Sequence, residues 1–102
     1  MTAFGAAIKK LREADNLPLR KVAAYLDIDQ ATLSKMENGH KKPKREHVIQ
    51  LAKYFKADKN ELLIMWMADK IVYEVEDEDR ALQAQAMIAA EKQIKYQTRK
   101  KK

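Results

Sequence analysis

One short segment of the chain carries side chains whose groups match the edges of DNA base pairs. On a helical wheel of this segment, Leu33 and Met36 fall on one side, and small or polar residues fall on the other. The primary amide of Gln30 suits adenine N6/N7, the ammonium of Lys35 suits guanine O6/N7, and the methyl of Ala31 suits a thymine methyl. The pattern predicts a helix that reads base edges in a DNA major groove through five residues: Gln30, Ala31, Thr32, Ser34 and Lys35.

Signals for a helix start and a helix end flank this segment. Asp29 precedes it and can accept hydrogen bonds from its first N–H groups, and Gly39 follows it, where helices commonly end in a left-handed residue. A second short helix with an apolar side begins near Pro18, and residues 27–29 between the two helices predict a tight turn, with Ile28 filling the corner. The sequence therefore predicts two short helices joined by a turn. The helix after the turn, with Leu33 and Met36, is held by its apolar side.

Basic residues surround this pair of helices. Residues 1–57 contain twelve Lys or Arg against six Asp or Glu, whereas residues 58–102 contain nine of each, so the net charge of +6 lies entirely in the first part. Cations in the first turn of a helix oppose its dipole, but phosphates bound there would make them favourable. We therefore expect DNA phosphate contacts from Arg20, Asn38, Lys41, Lys42, Lys44 and Arg45. The alternative is that these residues only solvate the surface.

The segments around the helix pair resemble a known family. They are Leu17–Ala23, the turn and second helix up to Gly39, His40–Pro43 and Val48–Phe55. Over roughly residues 4–64 the chain resembles the lambda-repressor-like (XRE) helix-turn-helix domain, which implies a five-helix all-α fold that binds DNA. The chain departs from the usual family pattern at Leu19, Asp27 and Lys44, where the family commonly has Gln, Gly and Ser or Thr.

Helical spacing of apolar residues predicts further helices on both sides of the pair. They cover residues 3–15, the stretch with Val48–Phe55, residues 58–73 behind a capping-box-like Asp58 and Glu61, and residues 80–96. Residues 74–79 are acidic and predict a turn or linker, although an alternating Ile71–Val75 run leaves a partly extended segment open. We expect three parts: a helix-turn-helix DNA-binding domain (1–64), a helical extension for dimerisation (65–97) and a disordered basic tail (98–102).

The fifth predicted helix is apolar on nearly all sides, so more than one neighbour must cover it. The small domain covers one side, and a second copy of the chain can cover another, as a palindromic DNA site requires. The expected dimer interface contains Leu62, Met65, Trp66, Ile71, Leu82 and Met87. The sequence leaves open whether Trp66 and the methionines are ordinary core residues, and whether the last helix packs within its own chain or across the dimer.

The residue types argue against enzyme and cofactor chemistry. The chain has no Cys, one Ser, and two Gly, which excludes a Cys nucleophile, a Cys-based metal site and a Gly-rich phosphate loop. His40 and His47 have a spacing that suits zinc poorly, and we expect them at the surface or near phosphates. We expect no catalytic residue, metal, cofactor or small-molecule ligand. No apolar run is long enough to span a bilayer, so we expect a cytoplasmic protein.

Together these observations predict a homodimeric transcription regulator that binds a specific palindromic operator, with half-sites about one helical turn, roughly 34 Å, apart. Small members of the family that the chain resembles include controllers of restriction–modification operons, phage-type repressors and antitoxins, and we favour a controller. The alternative is an antitoxin that binds a partner protein through its last helix and represses its own operon. The operator sequence, and whether the protein activates or represses, stay open.

Overall fold

Six helices make up the described part of the chain. The computed structural model describes the backbone of residues 2–100 and the side chains of residues 2–98. The helices are α1 (Ala3–Ala14), α2 (Leu19–Leu26), α3 (Gln30–Glu37), α4 (Arg45–Phe55), α5 (Lys59–Val75) and α6 (Arg80–Lys100). Residues 2–100 contain no strand. The predicted all-α fold, a five-helix domain followed by a C-terminal helical extension, is confirmed.

The chain divides into two compact units, with the division between Lys70 and Ile71. We predicted a boundary at residue 64. Residues 65–70 belong to the first unit because Trp66 lies in its core and Asp69 bonds to the start of α1. The first unit therefore includes most of α5.

The first unit packs its helices around one apolar core. The most deeply buried side chains are Ile8, Val22, Leu33, Val48 and Leu51, each at most 1% exposed. They come from α1, α2, α3 and α4, at the positions that helical spacing predicted to point inward. Because burying one such side chain contributes about 1.5–3 kcal/mol, this shared layer holds α3 against α1 and α2.

The N-terminus of α1 is capped from two sides. The carboxylate of Asp69 accepts hydrogen bonds from the backbone N–H groups of Ala3 and Phe4, at 3.0 and 2.9 Å. The hydroxyl of Thr2 accepts from the N–H of Gly5 at 3.0 Å. These N–H groups have no partner inside the helix, so the caps satisfy them and join α1 to α5.

Gly5 allows α1 to approach the C-terminal end of α3 closely. A Cβ atom at Gly5 would lie 2.5 Å from the carbonyl oxygen of Glu37 and 2.6 Å from that of Met36. Both distances are far inside van der Waals contact with backbone atoms that cannot move independently. The crossing of α1 and α3 therefore requires glycine at this position.

The second unit contains the end of α5, a turn and α6. Asp79 caps α6 by accepting a hydrogen bond from the N–H of Leu82 at 3.0 Å. The side-chain amide of Gln83 donates to the carbonyl oxygens of Val75 and Glu78, at 2.7 and 3.0 Å. The predicted break in the acidic stretch is thus confirmed, and its carbonyl groups are bound by the first turn of the next helix.

The two helices at this end extend further than we predicted. Residues 71–75 are helical rather than extended, because α5 continues to the start of the turn. Helix α6 reaches Lys100, beyond the expected end near Tyr96. The expected disordered tail, residues 98–102, therefore begins inside a helix, and residues 101 and 102 lie outside the described residues.

Candidate nucleic-acid interface

Helix α3 turns its apolar side to the core and its polar side to solvent. Leu33 is fully buried and Met36 is 3% exposed, whereas Gln30, Ala31 and Lys35 are exposed. Leu33 and Met36 lie about one helical turn apart, so they anchor one side of the helix. The amide of Gln30, the methyl of Ala31 and the ammonium of Lys35 thus belong to residues that solvent or a partner can reach.

Both ends of α3 carry the caps that we predicted from the sequence. Asp29 accepts a hydrogen bond from the backbone N–H of Thr32 at 2.6 Å. Hydrogen bonding from the Thr32 side chain, and then from its backbone N–H, holds the pKa of the Asp29 carboxyl below its usual range, and the charges of Lys35 and Lys41 act in the same direction. At the other end, Gly39 has a φ of 80°, in the left-handed region. The helix therefore has defined ends on both sides of its eight residues.

The remaining predicted base-contacting residues, Thr32 and Ser34, are half-buried. The backbone N–H of Thr32 is bound by Asp29. The carbonyl of Ser34 accepts the N–H of Asn38, the C-cap residue of α3. Both hydroxyls lie at the edge of the exposed face and not at its centre.

The turn before α3 depends on Asp27 in a left-handed conformation, with φ 58° and ψ 43°. The resemblance implied glycine here, and Asp tolerates this region better than most residues. The N–H of Ile28 donates to the carbonyl of Ala23 at 3.0 Å, and Ile28 packs against the core as predicted. Ala23 is buried, and its small side chain lets α2 and α3 lie close together.

A buried ion pair joins α1 to the last turn of α3. Arg12 donates from Nε and Nη2 to the two carboxylate oxygens of Glu37, at 2.8 and 3.0 Å. It also donates from Nη1 to the carbonyl of Leu17 at 2.9 Å. The hydrogen bond to Glu37 raises the pKa of Arg12, so the guanidinium keeps its charge. Only 4% of the Glu37 side chain and 13% of the Arg12 side chain are exposed.

The sequence analysis missed this pair. Glu37 offered a usable signal, because it follows Leu33 by one helical turn and therefore falls on the buried side of α3. An acidic residue on a buried face requires a cationic partner, and α1 supplies one.

The predicted phosphate-contacting residues are all exposed at the ends of three helices. They are Arg20, Asn38, Lys41, Lys42, Lys44 and Arg45. Arg20 lies in the first turn of α2, and Arg45 begins α4. The N-cap residues of these two helices, Pro18 and Lys44, make no side-chain cap hydrogen bond. No capping side chain therefore competes with an anion for the N–H groups of these first turns.

The basic loop, residues 40–44, is attached to α5. The indole Nε1 of Trp66 donates a hydrogen bond to the carbonyl oxygen of Pro43 at 2.8 Å. The ammonium of Lys70 lies 3.5 Å from the centroid of the Trp66 ring, a cation–π contact. Sequence reasoning assigned Trp66 to the core or to a dimer interface, and no local pattern connects it with Pro43.

The residues predicted for a dimer interface fall into two groups. Leu62 and Trp66 are buried in the core of their own unit, and Met65 is half-buried against that core. The other three residues of the prediction are about half exposed: Ile71, Leu82 and Met87. Leu62 and Trp66 therefore offer little surface to a second chain.

Other chemistry has little to build on in the described residues. Among residues 2–98, no three His, Cys, Asp or Glu side chains are grouped as metal ligands. His40 is exposed, and His47 is half-buried in the first turn of α4. Within the described backbone, none of the helices combines the length and apolar character that crossing a bilayer requires.

Two short helices that meet at a tight turn, the second with an exposed polar face, define a helix-turn-helix module. A model of the helix-turn-helix family HTH_3 matches residues 8–62, from α1 into α5. This match covers more than half of the chain. The chain therefore belongs to this helix-turn-helix family, and the family resemblance noted in the sequence is confirmed.

One curated relative supports the same assignment. The chain is 36% identical over 64 residues to a protein of Bacillus subtilis (strain 168) named as an uncharacterized HTH-type transcriptional regulator, RghRB. The alignment covers 62% of this chain and 46% of the relative, so the chain spans less than half of that protein's length. No solved structure shows a significant match.

Proposed function

We propose that this protein is a transcription regulator that binds a specific double-stranded DNA sequence in the cytoplasm, with α3 in the major groove. The exposed face of α3 is the observation that supports this most. Gln30 and Lys35 point to solvent from a helix that is fixed through Leu33. Gln30 pairs with adenine N6/N7, Lys35 with guanine O6/N7, and Ala31 contacts a thymine methyl. Thr32 and Ser34 contact bases at the margin of the binding site.

The exposed basic residues at the helix ends hold the phosphates in this proposal. Arg20 lies in the first turn of α2 and Arg45 begins α4, so a phosphate at either position meets a cation and backbone N–H groups together. Asn38, Lys41, Lys42 and Lys44 extend the same contacts along the basic loop. These contacts set the position of α3 on the duplex but carry no sequence information themselves.

The dependence of binding on salt tests this proposal. The whole chain is titrated with a mixed-sequence duplex between about 50 and 200 mM salt, with the single strand of the same sequence as control. We expect the logarithm of the affinity to fall by about 0.9 for each neutralised phosphate per tenfold rise in salt, with weaker binding to the single strand. Absent binding, or a salt-independent affinity, would refute the proposal.

We further propose that the protein acts as a homodimer on a palindromic operator. Ile64 and Met67 lie on the side of α5 that is turned away from the core, and both are exposed. In the second unit, exposed apolar side chains include Ile71, Leu82 and Met87. Covering such side chains removes apolar surface from water, and a two-fold dimer matches two half-sites about one helical turn apart.

Sedimentation equilibrium tests the dimer. We expect the wild type to sediment as a dimer, and a variant with Ile64→Glu and Met67→Glu to sediment as a monomer, because two charges in an apolar interface cannot be desolvated cheaply. Asn60→Glu adds charge at an exposed polar position of the same helix and is expected to remain dimeric. A monomeric wild type, or a dimeric Ile64→Glu/Met67→Glu variant, contradicts this part of the proposal.

For the genes controlled, we propose a restriction–modification operon, because controllers of such operons belong to the family that the chain resembles. A methyltransferase and nuclease pair beside the gene is the expected observation, and its absence removes this assignment. The exposed apolar side chains of α6, such as Ile88 and Ile94, favour one second candidate, an antitoxin that binds a partner protein. A small toxin encoded beside the gene, and a stoichiometric complex with it, would favour that candidate instead.

A further inference from the structure

The basic loop between α3 and α4 is fixed where it leaves α3. After the left-handed Gly39, the N–H of His40 donates to the carbonyl of Lys35 at 2.8 Å. This hydrogen bond closes the helix with the chain turned sharply back. The direction in which the loop departs from α3 is therefore set by the backbone.

The other half of the loop is restricted by proline. The ring of Pro43 fixes its own φ, and its Cδ disfavours helical conformations for the preceding Lys42. Lys44 then has an extended backbone, with φ −79° and ψ 156°, before α4 begins. The proline ring does not restrict ψ of Pro43 in the same way, and ψ sets the direction of the Pro43 carbonyl. The hydrogen bond from Trp66 Nε1, 2.8 Å long, fixes that direction.

We infer that Trp66 is a positioning residue for DNA binding, whose indole N–H holds the basic loop so that Lys41, Lys42 and Lys44 face the phosphates together. This inference rests on the proposed function. All three lysines are exposed and belong to one short segment, so the backbone of residues 40–44 sets where their ammonium groups lie relative to one another. Trp66 lies on α5, so this helix contributes to DNA binding without contacting DNA.

The indole N–H distinguishes the positioning role of Trp66 from the packing of its ring in the core. Trp66 is 9% exposed and belongs to the core, so most of its ring would stabilise the fold whatever its nitrogen does. Only the N–H reaches the loop carbonyl. Replacing the N–H with a group of equal size that cannot donate would leave the core filled and release the loop.

The test uses the only tryptophan in the chain. The full chain is prepared with β-(3-benzothienyl)alanine at position 66, which puts sulfur in place of the N–H, and Trp66→Phe provides a genetically encoded counterpart. Ile8→Val, on a helix that carries no loop residue, is the control for a small loss of core stability. Affinity for a mixed-sequence duplex is measured over a range of salt concentrations, and folding is monitored by circular dichroism.

We expect the benzothienyl chain to fold like the wild type and to bind duplex about threefold to tenfold more weakly, with a salt dependence reduced by about one unit of log–log slope. Trp66→Phe should show the same reduced slope, and Ile8→Val the wild-type slope. In a chain with Lys41→Ala, Lys42→Ala and Lys44→Ala, the benzothienyl replacement should cause no further loss.

Wild-type affinity and slope in the benzothienyl chain would overturn the inference while leaving the proposed function intact. An equal loss in the background without the three lysines would overturn it too, because Trp66 would then act by another route. If the wild type itself binds no duplex, the proposed function fails, and this inference fails with it.

Discussion

Arg12 and Glu37 form a bidentate ion pair that joins α1 to the last turn of α3. The guanidinium also binds the carbonyl of Leu17, in the segment between α1 and α2. The Arg12 side chain thus connects α1, the segment before α2 and the last turn of α3. A charge pair in this place specifies how the helices meet as well as contributing to stability.

Removing one member of this pair should destabilise the fold strongly. We expect Arg12→Ala to lower the free energy of unfolding by about 3 kcal/mol, because Glu37 would remain buried without a partner. Urea denaturation of the variant measures this loss. Arg12→Met combined with Glu37→Leu should recover much of it, since no charge is then left buried. A loss below about 1 kcal/mol for Arg12→Ala would mean that water replaces the guanidinium.

For Gly5→Ala, the sign of the change in stability tests the close packing of α1 and α3. Gly→Ala inside a helix usually stabilises a protein by about 0.5–1 kcal/mol. Here the new Cβ would meet the carbonyl oxygens of Met36 and Glu37, so we expect Gly5→Ala to destabilise by about 1–3 kcal/mol. Thermal unfolding of the variant measures the change. A raised melting temperature would show that α1 and α3 are not packed as closely as described.

Asp29 predicts a pH dependence of stability. Its pKa is lower in the folded chain than in the unfolded chain, because the carboxylate accepts hydrogen bonds from the side chain and the backbone N–H of Thr32 and lies near two lysines. The charged cap therefore stabilises the fold above about pH 4, and this contribution is lost as the pH falls through the folded-state pKa.

Asp29→Asn is the matched variant, because Asn also caps helices but does not titrate. We expect the stability advantage of the wild type over this variant to be constant near neutral pH and to shrink as the solution becomes acidic. Chemical denaturation at a series of pH values measures it. An advantage that does not change below pH 4 would contradict the charged-cap account.

Gln30 predicts a change in specificity. We expect Gln30→Ala to weaken binding to the cognate site by about 1–3 kcal/mol and to relax the preference at one base pair, because the bidentate amide contact is lost. Competition between the cognate duplex and single-substitution duplexes measures this. Equal losses on cognate and random DNA would place Gln30 outside the base-contacting set.

Replacing Arg45 should lower the affinity for DNA by a factor that does not depend on the DNA sequence. We expect Arg45→Ala to weaken cognate and random duplexes by similar factors and to reduce the salt dependence by about one unit of log–log slope. Titrations at several salt concentrations measure both effects. Arg80, which begins α6 in the second unit, supplies the control, and Arg80→Ala should leave the slope unchanged.

Local signals predicted much of the fold and of the candidate site. Asp29 and Gly39 defined α3 because capping depends on a few adjacent residues. The apolar spacing of Leu33 and Met36 assigned the buried side of the helix, and with it the exposed side. The predicted helix-turn-helix arrangement needed nothing beyond these short-range patterns.

Contacts between residues distant in the sequence were not predicted. The bond from Trp66 to Pro43 and the pair of Arg12 with Glu37 depend on how helices meet, which no single-helix pattern contains. The same reason explains why the division between the compact units falls later on α5 than the boundary that we expected, because the cap from Asp69 to α1 is visible only in the folded chain. Helix-wheel reasoning assigns faces but cannot pair them.

Selection of bound duplexes from a random pool by the purified wild type tests the central claim most directly, because it reports sequence preference, symmetry and half-site spacing together. We predict a two-fold symmetric consensus with half-sites about one helical turn apart, which loses a defined base preference when Gln30 is replaced by Ala. A pool without any enriched sequence, or a consensus unaffected by Gln30→Ala and Lys35→Ala, would contradict the claim that the exposed face of α3 reads DNA.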